Sequence, residues 1–94
     1  MKKFIILIPV YNDWKSVFKL LTAIDSQVTA WNAEVSVLII NDASTEKRPS
    51  IESSFNNIKS VRVMNMKKNK GHARCYATGL KFLSTKEDFD YLIP

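Results

Sequence analysis

The sequence predicts an α/β fold in which a parallel sheet of about four strands carries helices on both faces. Three observations lead there. Two apolar runs, "FIILIPV" and "VLII", read as strands covered on both sides. Two other segments repeat apolar residues at helical spacing. The order strand, helix, strand, short helix, strand, helix, strand places helices on both faces through right-handed crossovers.

The first strand covers residues 4–10, rich in isoleucine and without alternation, as suits a central parallel strand. Pro9 is expected to end its hydrogen-bonding ladder. Asp13 can cap the helix that follows, where Val17, Leu20, Leu21, Ile24 and Val28 form one apolar stripe. "EVSVLIIND" supplies the second strand. "DASTEKRPS" is a loop, and Pro49 can open a short helix as far as Phe55. In "VRVMNM", Val61, Val63 and Asn65 alternate with Arg62, Met64 and Met66, a strand with one face less protected. Residues 71–83 form a second helix with a stripe of Ala73, Tyr76, Ala77 and Leu80, and "FDYLIP" begins a fourth strand. Gly79 costs this helix roughly 1 kcal/mol against alanine, which points to a close neighbour.

The 94 residues, 46% hydrophobic and 24% charged, fit one domain or a piece of one, with a modest core. No apolar run reaches the roughly 20 residues of a membrane span, and "MKKFIILIPV" lacks a signal cleavage site. A cytoplasmic protein without a membrane segment is therefore expected. The single cysteine, Cys75, has no internal disulfide partner, and with His72 the sole histidine there is no Cys/His set for zinc. Net charge is +5, and Lys67, Lys68, Lys70 and Arg74 cluster, so anionic partners are favoured.

In such sheets ligands bind outside the carboxyl ends of the strands, and three of these ends are polar. At "PVYND", Tyr11 can offer a ring face and Asp13 an acceptor. The plainer alternative is a core tyrosine and a helix cap. At "IINDAST", Asp42 can accept from a base or ribose, while Ser44 and Thr45 suit turns bonded to their own backbone. At "KKNKGHARCYATG", cations crowd a helix start that already carries partial positive charge, and a docked anion would relieve it. Gly71 permits close backbone approach. His72 reads as a surface residue and Cys75 as a small buried group. Neither a phosphate-binding P-loop nor G-x-G-x-x-G is present.

Together "ILIPVYND", "VLIINDAST" and "NKGHARCYATG", in this order and spacing, resemble the start of a family 2 glycosyltransferase. The resemblance implies a Rossmann-like GT-A half domain, with strand order 3-2-1-4. It also implies a parent enzyme of the hexosyltransferase type that moves a sugar from a nucleoside diphosphate sugar, commonly UDP-linked. By the same resemblance Pro9, Val10 and Tyr11 form a wall of the nucleoside pocket, Asp13 holds the place of an acidic residue, and Asp42 contacts the base. Asn69, Gly71 and Arg74 match the third motif, with Lys70 a weaker member. Ala43 stands where the family often has glycine, and Asn41 where it often has a second acid.

The family's metal-binding Asp-x-Asp would follow "YLIP", so residues 1–94 are expected to be the nucleotide-binding part of the domain. This part carries no catalytic residue or cofactor of its own. Mg²⁺ or Mn²⁺ is expected in the full-length enzyme, and the part alone is expected to lack transferase activity. Later strands would pair beyond the fourth, so an exposed edge is expected to allow self-association. Two rival readings are a module binding a polyanion such as nucleic acid, which the resemblance does not favour, and a purely structural α/β domain.

Overall fold

A computed structural model describes residues 2–47, 55–86 and 89–93. The elements are β1 (Lys2–Val10), α1 (Trp14–Gln27), a turn of 3-10 helix (Val28–Trp31), β2 (Ala33–Asn41), β3 (Ser60–Asn65), α2 (His72–Lys86) and β4 (Tyr91–Ile93). The four strands form one parallel sheet in the order β3-β2-β1-β4, as the resemblance implied. The short helix expected from Pro49 lies outside the described residues.

Alternation along the central strands sends side chains to two separate cores. On one face Ile6, Ile8 and Val10 of β1 and Val35, Val37 and Ile39 of β2 pack against Trp14, Val17, Leu21 and Ile24 of α1. On the other, Ile5, Leu7, Leu38 and Ile40 meet Cys75 and Leu83 of α2. β3 divides in the same way, with Val61 and Val63 beside the first core and Met64 beside the second.

Both helical stripes differ in part from expectation. Leu20 is 45% exposed because it lies over the part of β1 that the three-residue β4 does not reach; with Trp31 and Ile93 it lines a shallow apolar groove. In α2 the buried line is Cys75, Gly79 and Leu83, one residue off in phase from the expected Ala73, Ala77 and Leu80, which are exposed. Small residues had hidden this phase. A Cβ on Gly79 would come within 3.0 Å of Leu7 and 3.1 Å of Ile40, so the glycine lets α2 approach the sheet closely.

Pro9 does not end β1, which continues to Val10 opposite Asn41. Val10 directs its carbonyl toward β2, accepting from the Asp42 N–H at 2.8 Å. By alternation Pro9 faces the opposite edge, where β4 pairs only with residues 4–6. Its missing N–H therefore costs no ladder bond to a described strand.

Loop anchors are short and polar. Asn32, with φ 48°, ends the 3-10 turn in the left-handed region and redirects the chain into β2. Near the end of α1, the Asp25 carboxylate accepts N–H bonds from Asn57 at 2.7 Å, Ile58 at 2.9 Å and Asn56 at 3.4 Å. Desolvation opposes its charge, but these bonds prevail and hold Asp25 below the usual aspartate range.

Candidate functional site

The register brings the three polar strand ends to one level. Val10 pairs with Asn41 and Asn41 with Asn65, so the segments that follow leave the sheet side by side. The Met66 N–H closes this row on the Asn41 carbonyl at 2.8 Å. Across the same edge, the Asn41 amide donates to Asn65 Oδ1 at 3.0 Å and its own Oδ1 accepts the Ser44 N–H at 3.1 Å. The turn after β2 is thus built from Asn and Ser side chains, as their residue types suggest.

Asp42 is the buried carboxylate of the site, 1% exposed. Its Oδ1 accepts the Lys70 N–H at 2.7 Å and its Oδ2 the Gly71 N–H at 2.8 Å. The Cys75 thiol, one turn into α2, stands beside the same carboxylate. Burial opposes the Asp42 charge, yet the two N–H donors and the thiol outweigh it and keep the group below its ordinary range. Burial, together with the negative Asp42, pushes the Cys75 thiol up to about 11.

Both Asp42 oxygens accept N–H groups of the two residues before α2, so the carboxylate holds the loop that leads into that helix. The anion sought to offset the cations at the helix start is, in part, internal. Lys67, Lys68, Lys70 and Arg74 themselves remain exposed.

Gly71 precedes α2 with φ 86°, where a side chain would be strained, and its missing Cβ has nothing within 4 Å. It brings no side chain to the helix start. Asn69 reaches the Asp42 carbonyl at 3.4 Å. Arg74 occupies the exposed side of the first turn.

Pro9, Val10, Tyr11 and Asp13 line a single cleft of about 270 Å³, whose lining does not include Asp42, Asn69, Gly71 or Arg74. Tyr11 is 44% exposed and is not a core residue. Asp13 caps α1 with a long bond from the Ser16 N–H, 3.4 Å, and remains exposed. His72, the first residue of α2, is exposed, as the sequence suggested, and forms another side of the cleft, a place that only the juxtaposition of α2 and β1 shows.

Asn12 was also missed. It adopts φ 51°, and its Oδ1 accepts the N–H groups of Thr45 at 2.9 Å and Glu46 at 2.8 Å. Its Nδ2 donates to the Thr45 hydroxyl at 3.1 Å, and its own N–H to the Ser44 hydroxyl at 2.9 Å. The Asn-Asp pair at the strand end was its only sequence signal.

Among the described residues no three His, Cys, Asp or Glu side chains gather into a metal site. No helix among them is long and apolar enough to cross a membrane.

A parallel α/β sheet in this order, with its polar loops gathered at the carboxyl edge, defines a Rossmann-like domain of the GT-A type. The sequence model for glycosyl transferase family 2 matches residues 5–93, and the chain belongs to that family. Searches of curated proteins and of solved structures return no significant match. Family membership supports a glycosyltransferase-type function with a nucleotide-sugar donor.

Proposed function

We propose that the crevice at the carboxyl edge binds the nucleoside of a nucleoside diphosphate sugar, of the UDP type, for a glycosyltransferase that passes the sugar to an acceptor. One observation carries this reading: the backbone of Asp42 is bonded to Val10 and its carboxylate to Lys70 and Gly71, which gathers the three polar segments on one edge. Pro9, Val10 and Tyr11 supply a wall, and the Tyr11 ring suits stacking on a base. Asp13 offers an exposed acceptor. Asp42 serves the pocket by fixing Asn69 and Gly71, beside which Arg74 and Lys70 meet the diphosphate charge.

In the complete reaction the diphosphate leaves the anomeric carbon as the acceptor oxygen attacks, and a base takes the hydroxyl proton. Mg²⁺ or Mn²⁺ would neutralise the leaving diphosphate. Residues 1–94 contribute recognition, and by themselves turn over no donor. A cytoplasmic site suits the buried, free Cys75. Self-association by strand pairing follows from β4, whose Tyr91 and Ile93 are 51% and 37% exposed; sedimentation showing only monomer at high concentration would count against it.

The test is an NMR titration with UDP, GDP and dTDP, with and without Mn²⁺. Shifts clustered at Tyr11, Asp13 and residues 69–74, largest for UDP, are expected; no response to any nucleotide overturns the proposal. The exposed Lys67, Lys68, Lys70 and Arg74 favour one second reading, polyanion binding. That reading requires a steep loss of affinity with salt and no distinction between UDP and pyrophosphate.

A further inference from the structure

Asn12 sits between Tyr11 and Asp13, two residues of the cleft, yet its own side chain turns the other way, onto the loop after β2. There Oδ1 takes two consecutive N–H groups, of Thr45 and Glu46, and Nδ2 donates to the Thr45 hydroxyl. The Asn12 N–H adds a fourth tie, to Ser44. Bonds to both amide atoms fix the side chain's orientation, and with it the left-handed backbone on which Tyr11 and Asp13 are mounted. We infer that Asn12 is a positioning residue that locks the Tyr11–Asp13 turn to the Ser44–Glu46 loop and so sets the shape of the cleft. Its importance for ligand binding rests on the function proposed above.

A plainer cause for this residue would be that asparagine tolerates φ near 51°. Glycine tolerates it better but cannot make the side-chain bonds, so Asn12→Gly separates the two causes. Asn12→Ala and Asn12→Asp complete the series. In the 94-residue chain, amide exchange at Thr45 and Glu46, the Tyr11 ring resonances and UDP affinity are measured together.

Both Gly and Ala variants are expected to lose protection at Thr45 and Glu46, shift the Tyr11 ring signals and bind UDP about tenfold more weakly, as the loss of one or two net hydrogen bonds implies. Asn12→Asp keeps the acceptor and is expected to recover the Thr45 and Glu46 protection. A glycine variant that keeps protection, ring signals and affinity overturns the inference. Should the parent chain ignore UDP, the proposed function falls, while exchange and ring signals still decide whether Asn12 locks the turn.

Discussion

Asp42 Oδ2 accepts the Gly71 N–H at 2.8 Å, so a residue just past β2 fixes the loop in front of a helix that begins 30 positions later in the chain. Gly71 brings no side chain to that point, and the tie comes from the edge of the sheet.

Replacing Asp42 with alanine strips two part-buried N–H groups of their acceptor, and a loss of about 1–3 kcal/mol is expected. The change Asp42→Asn keeps one acceptor and should cost about half of that. Urea unfolding without ligand is the measurement. An unchanged midpoint for Asp42→Ala would show that these bonds contribute nothing.

Acid should destabilise the fold for the same reason. Asp42 and Asp25 are both held below their ordinary range, so the unfolded chain binds their protons more readily. Their contribution is full above the unfolded value of about 3.9 and is lost as pH falls through the lower folded values. Unfolding midpoints should drop below pH ~4, with a shallower acid slope in Asp42→Asn. Equal slopes would contradict the assignment.

Ala43 has φ 60°, a left-handed conformation that glycine adopts without strain. The left-handed cost of about 1–2 kcal/mol outweighs the entropy penalty of about 0.4–1 kcal/mol for adding a glycine. Ala43→Gly should therefore raise stability by about 0.5 kcal/mol, read as a higher melting temperature. A lower one would mean that the turn holds alanine without strain.

At Gly79 the opposing effects lie close together for alanine and far apart for larger residues. Alanine adds about 1 kcal/mol of helix propensity but presses on the flexible ends of Leu7 and Ile40. Valine cannot be accommodated by small shifts and should cost about 1–3 kcal/mol. A valine variant as stable as the parent would place α2 farther from the sheet.

The sheet was legible because uninterrupted apolar runs are a local pattern, and its order came from the resemblance. The phase of α2 was not, since Cys75 and Gly79 are too small to mark a buried line. Leu20 followed helical spacing faithfully, but spacing says nothing about whether a neighbour covers it. The bonds of Asp42 to Lys70 and Gly71 were not legible, because a carboxylate at a strand end looks the same whether it faces a ligand or a loop far along the chain. Asn12 and His72 owe their places to contacts between segments far apart in sequence.

The two cores differ in more than size. The one beneath α1 is assembled almost wholly from a contiguous β-α-β stretch, whereas α2 lies far along the chain from β1 and β2, which form its bed. Such a chain has a natural chronology: the first unit can nucleate, and α2 docks afterwards. Trimming Leu21 or Val37 should therefore slow refolding, while trimming Leu83 should mainly hasten unfolding, a contrast visible in a chevron plot.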